Sequence, residues 1–172
     1  DESGEAERGV PMSEANLGQD MEVQINLSEK NWYVYNENYG TSQKKYLIKL
    51  INDSIDEIKE KYSDAYLIRN ASLFKIHRFE DGKSIEPDFV LLLKDESDAQ
   101  IYQLFIEPKG DGFADKDEWK QEFLTSIKER YKTEEVYSDK KVNIVGLPFY
   151  NEDIKSNFKD ELSDVLGVDK LF

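Results

Sequence analysis

Two short stretches of this chain put carboxylates and an ammonium where apolar runs begin or end. Pro87-Asp88 leads into Phe89 to Leu93, and Ile101 to Ile106 leads into Glu107-Pro108-Lys109. In an extended chain, side chains two residues apart point the same way, about 6.5–7 Å from each other. Glu107 and Lys109 therefore share a face, and Asp88 can join them from a paired strand about 4.8 Å away. Two carboxylates and an ammonium on one face of a buried sheet are costly unless they bind something. A divalent cation acting on a phosphate suits this set. Mg²⁺ prefers oxygen ligands and keeps several of its waters; it can make a water nucleophilic and offset charge on a phosphorane. Asp88 and Glu107 supply the carboxylates, and Lys109 can orient or deprotonate the attacking water. A lysine beside a metal and apolar walls is expected to have a lowered pKa. Glu86 shares the face of Asp88 by alternation, and Lys116 and Lys120, one turn apart, can face phosphates. The plain alternative is an ion pair between Glu107 and Lys109 at a strand end, with Asp88 accepting turn hydrogen bonds after Pro87.

The elements that must hold these residues follow from periodicity. Met21 to Leu27 alternates as a half-buried strand does. Gly40-Thr41-Ser42 is a turn with an N-cap, followed by a helix to about Tyr62 with Leu47, Leu50, Ile51, Ile55 and Ile58 on one stripe and Gln43 turned inward at its start. Ala65 to Phe79 reads as one or two strands, with Leu67, Leu73, Phe74 and Ile76 as core candidates and His77, the lone histidine, in a structural or exposed role. Glu80 to Lys83 is a turn of the Asp-Gly kind, and Gly110-Asp111-Gly112 breaks the chain after the second motif. A helix is expected from Asp117 to about Tyr131, a strand within 141–150, and a last helix from Asp153 to Leu166 that buries Ile154, Phe158, Leu162 and Leu166. Trp32, Tyr33, Tyr35 and Tyr39 are read as packing over the sheet in preference to stacking on bases. Pro108 cannot donate to a ladder and so belongs at a strand end or bulge. The expected class is α/β, a mixed sheet flanked by helices with the site at strand ends.

Composition bounds the rest. A chain of 172 residues fits one domain with a proper core. It has no cysteine, which removes disulfides and thiolate metal sites and suits a reducing cytoplasm. No apolar run approaches the ~20 residues of a membrane span, so no membrane partner is expected. Residues 1–20 read as an acidic linker or tail, with 21–172 as the domain. The chain starts at Asp1 without a signal pattern and is taken as part of a longer polypeptide. The net charge of −14 opposes simple attraction to nucleic acid. Any DNA must then be delivered by another part of the protein.

Pro87-Asp88 and Glu107-Pro108-Lys109 together resemble the PD-(D/E)XK nuclease motif. With N-Y-G-T-S ahead of a helix, then E-P-D-F and I-E-P-K-G, roughly Trp32 to Tyr150 is similar to the C-terminal endonuclease domain of the Res subunit of type III restriction enzymes. The resemblance implies a restriction-endonuclease-like αβββαβ core and Mg²⁺-dependent hydrolysis of double-stranded DNA, with Mn²⁺ able to substitute. It implies Asp88, Glu107 and the Pro108 carbonyl as metal ligands, with Asp88, Glu107 and Lys109 as the catalytic set. A helicase-like translocase domain in the same polypeptide and a modification (methyltransferase) subunit are the implied partners. One departure stands out. The resembled sequences carry Glu shortly after G-T-S, where this chain has Gln43 and Lys44, so Gln43 offers only an uncharged oxygen and the number of metals stays open. A catalytically inactive interaction or DNA-positioning module, or a phosphodiesterase acting on RNA or nucleotides, fits the same residues.

Overall fold

The protein is described here by a computed structural model covering residues 11–13, 23–35, 37–78, 80–96, 100–110, 117–130, 135–137 and 140–169. Apolar residues at three- and four-residue steps make α1 (Ser42–Lys61), and Leu47, Ile48, Leu50, Ile51, Ile55 and Ile58 are all buried. Thr41 has the extended backbone of an N-cap, but its side chain makes no capping hydrogen bond. The chain turns directly into β1 (Tyr62–Arg69), then forms the short ribbon β2 (Ile76–His77) and β3 (Ser84–Ile85). The two apolar runs are β4 (Phe89–Asp95) and β5 (Gln100–Ile106). After α2 (Glu118–Arg130) come β6 (Glu135–Tyr137), β7 (Lys140–Gly146) and α3 (Ser156–Leu166).

The main sheet has the order β1-β4-β5-β7-β6. β4 runs antiparallel to β1 and β5, and β7 lies parallel to β5. A parallel neighbour needs a crossover, which α2 supplies. Apart from the β2–β3 ribbon and β6, the order is helix, three strands, helix, strand, the expected αβββαβ arrangement. Both faces of β4 are covered, which is why its sequence is a continuous apolar run. Phe89, Leu91 and Leu93 enter one core with residues of α1 and α3, while Val90 and Leu92 meet Phe123, Leu124 and Ile127 of α2. At the end of β7, a Cβ on Gly146 would stand 2.0 Å from the Leu124 carbonyl oxygen, so the α2 backbone rests directly on this strand.

Several expectations need correction. Residues 23–27 are not a strand: Ile25 and Leu27 are buried as the alternation required, but the chain enters a 3-10 turn at Leu27–Glu29. Met12, within the stretch read as a tail, is buried in the main core, and its N–H donates to Asn38 O at 3.2 Å. Residues 1–10 and 14–20 lie outside the described residues. Leu73 is 65% exposed because the chain loops out, with Ser72 at φ 60, before β2. Ile154 is 61% exposed because a separate 3-10 turn (Glu152–Ile154), out of register with α3, precedes that helix. His77 is exposed on β2. Trp32 and Tyr33 pack as expected: Leu67 N–H donates to Trp32 O at 2.7 Å, which ties this segment to β1. Among the described residues, no helix is long and apolar enough to cross a membrane.

Candidate active site

Register makes the two motifs converge. Phe89 pairs with Ile106, so Asp88 and Glu107 are the next residues beyond that pair. Asp88 N–H donates to Glu107 Oε2 at 2.8 Å. The turn carrying Asp88 is built by Asn70. Its N–H donates to Asp88 O and its Nδ2 to Pro87 O, both at 2.8 Å, while its Oδ1 accepts from Leu73 and Phe74 N–H. Such local side-chain bonding is the usual work of an Asn in a loop.

Glu107-Pro108-Lys109 leaves the sheet alongside Tyr150. Tyr150 N–H donates to Glu107 O at 3.0 Å and Lys109 N–H donates to Tyr150 O at 2.8 Å, so the bonds straddle Pro108 and none needs its absent N–H. Asn151 Nδ2 donates to Lys109 O at 3.0 Å. The Lys109 ammonium lies 3.2 Å from Glu107 Oε1, 3.5 Å from Asp117 Oδ2 and 5.5 Å from the centre of the Phe149 ring. Lys120 reaches Asp117 Oδ1 at 2.9 Å. On the other side, Asp88 Oδ1 is 3.1 Å from Lys44 Nζ and 3.9 Å from an Arg69 nitrogen.

The electrostatics follow from these distances. Burial, and then the neighbouring Asp88 charge, hold the Glu107 carboxyl above the usual range despite its hydrogen bond from Asp88 and the nearby Lys109. For Lys109 the expected lowering is not found. Burial works in that direction, but Glu107 and Asp117 together outweigh it and raise the pKa. Lys109 is therefore an ammonium suited to orienting water and countering phosphate charge. The hydrogen bond from Lys120 keeps the half-buried Asp117 below the usual range.

Asp88, Glu107 and Lys109 are thus brought together, and the auxiliary residues divide. Lys120 lines a cleft of about 220 Å³ together with Glu86, Pro87, Glu107, Leu124 and Phe149. Glu86 contributes to that wall but is held outward by Lys75 at 3.3 Å and by the Ser72 hydroxyl. Gln43 is not aimed at the carboxylates: its Oε1 accepts from Glu152 N–H at 2.8 Å, bracing the start of α1 against the 3-10 turn before α3. Lys116 lies outside the described residues. Sequence reasoning missed Asn70, Arg69 and Asp117 as parts of the site, and saw Lys44 only as a departure. An acid at the start of α2 was the one available signal, since acids favour helix N-termini for reasons unrelated to catalysis.

Among the described residues no group of three Asp, Glu, His or Cys side chains is placed to hold a metal. The donor set still suits a hard cation. The Glu107 carboxyl, raised in pKa first by burial and then by the Asp88 charge, would be relieved by a divalent ion, and Mg²⁺ can complete its shell with water and carbonyl oxygen.

The model of the HI_1054_C family, described as a C-terminal domain, matches residues 9–164. The chain belongs to this family. A Haemophilus influenzae relative, described as an uncharacterized protein, is 37% identical over 139 residues. That match covers 75% of this chain and 30% of the relative, so this HI_1054_C-type domain spans under a third of the relative's length. No solved structure matches.

Proposed function

We propose that this HI_1054_C-type domain is the Mg²⁺-dependent endonuclease part of a larger polypeptide, hydrolysing phosphodiester bonds of double-stranded DNA in a type III restriction system. The observation that carries the reading is the meeting of the two motifs just beyond the ends of β4 and β5, where Glu107 accepts from the Asp88 N–H and has the Lys109 ammonium against it. Asp88, Glu107 and the Pro108 carbonyl would hold the ion. Bound Mg²⁺ supplies Lewis acidity toward the phosphate and a more acidic water. Lys109 orients the attacking water and counters charge building on the phosphate, and Asp117 fixes its ammonium from the other side. Lys120 meets a neighbouring phosphate from the cleft wall. At a net charge of −14 the domain relies on the rest of its polypeptide, a helicase-like translocase, and on a modification subunit to bring DNA to it. That assembly works in the cytoplasm.

A second reading, a non-cleaving DNA-positioning or interaction module, is favoured by one observation: each carboxylate of the pair already has a lysine beside it, at 3.1 and 3.2 Å. The two are separated by supplying the full-length polypeptide with DNA, ATP and Mg²⁺. Cleavage that falls at least about a hundredfold in Glu107→Ala and Lys109→Ala, with unchanged circular dichroism, supports the nuclease. Wild-type protein that binds DNA but leaves it intact with Mg²⁺ or Mn²⁺ supports the module.

A further inference from the structure

Lys44 occupies an unusual place for a lysine. It lies in the first turn of α1, the end of a helix where a cation is disfavoured by the macrodipole, yet its side chain is only 19% exposed and turned onto Asp88. Room has been left for it: a Cβ on Gly40 would stand 3.0 Å from Lys44 Cδ and 3.1 Å from Lys44 Cβ. Gly40 is not in the left-handed region, so the missing side chain there serves space and not backbone conformation. The second cation near Asp88 is pinned independently. Arg69 donates to Asn38 Oδ1 at 3.1 Å, and its guanidinium lies 5.2 Å from the centre of the Phe89 ring. Lys44 is therefore the cation that closes directly on Asp88 Oδ1, and Arg69 is not free to replace it.

Resting on the proposed metal-dependent nuclease, the geometry points to Lys44 as a built-in cation that holds Asp88 Oδ1 and confines the carboxylate pair to a single divalent ion. It is a positioning residue. It keeps one Asp88 oxygen out of the ion's shell, and its charge stands where a second ion would otherwise sit. The cost of this arrangement is weaker binding of the first ion, because ammonium and metal share one carboxylate.

Mn²⁺ binding to the 172-residue chain, followed by the electron paramagnetic resonance of free Mn²⁺, tests this without any cleavage assay. The expected result is one ion per wild-type chain, one ion bound about tenfold more tightly in Lys44→Ala, and two ions in Lys44→Glu. Gly40→Ala keeps the ammonium but crowds its stem, and shifts affinity in the same direction by a smaller factor. Asp88→Ala abolishes binding in each background. Unchanged or weaker binding in Lys44→Ala, with one ion still in Lys44→Glu, overturns the proposal and leaves the nuclease reading standing. Absence of Asp88-dependent binding in every variant overturns both.

Discussion

The two faces of the sheet are built for different purposes. On the side of α1 and α3 the core is broad and continuous, running from Leu27 and Trp32 through Leu67 and Leu91 to Phe158 and Leu166. On the α2 side the buried cluster is small, and it gives way to a charged cleft at Glu107 and Lys120. Apolar burial scales with area, so most of the stability belongs to the first face. The second can tolerate the buried Glu107 carboxylate and its repulsion by Asp88 because the first holds the strands in register. A fold that divides its faces in this way can keep a costly site without dispersing the cost through its core.

Truncating side chains of the first face should have the largest effect on stability. Ile58→Ala or Leu67→Ala, each at a fully buried position, should lose about 2–5 kcal/mol in urea denaturation, a large share of a typical domain's stability. On the second face the support of α2 is the sensitive point. Gly146→Ala, which drives a methyl into the Leu124 carbonyl, should cost about 1–3 kcal/mol and displace α2, read from the near-ultraviolet signal of Trp119. Full stability in that variant would mean that α2 does not rest on β7 as described.

Glu107→Gln sharpens the contrast with the opposite sign. The folded carboxyl has a raised pKa, so the native state holds its proton more tightly than the unfolded chain does. Stability therefore falls as pH rises from the unfolded carboxylate value through the raised folded one. The Gln variant should be more stable than wild type at neutral pH, and the gain should vanish as the pH drops below the unfolded value. A variant less stable at pH 7 would show that Glu107 is a structural ion-pair partner of Lys109. The smallest effect belongs to the exposed flank of α1, where Lys49→Ala removes an i,i+4 pair with Asp53 and should change stability by less than about 0.5 kcal/mol.

How much was legible in the sequence depended on the range of the interaction concerned. The stripe of α1 and the continuous run of β4 are local periodicities, and both appear at nearly the expected bounds. The meeting of Asp88 with Glu107 could be read because one antiparallel register joins them. Residues 23–27 carried the right alternation, but burial has period two in any extended segment, and backbone pairing depends on a neighbour that periodicity does not report. Ile154 fitted the stripe of α3 only if the helix began early; a 3-10 turn ahead of it rotates that residue outward. Gln43 was aimed correctly inward, yet its partner, Glu152 N–H, lies 109 residues away. Lys44 was hardest to place. A lysine on a helix is normally a solvated residue, and only the space above Gly40 and the position of Asp88 reveal its reach.

Everything proposed for this domain requires Asp88 and Glu107 to form one cation site. Anomalous diffraction from crystals of this domain soaked in Mn²⁺ tests it most directly. The expected result is a peak between the two carboxylates at about 2.0–2.2 Å from an oxygen of each, the range for small hard divalent ions. Carboxylates that stay paired with Lys44 and Lys109, with no peak between them in saturating Mn²⁺, would contradict the account.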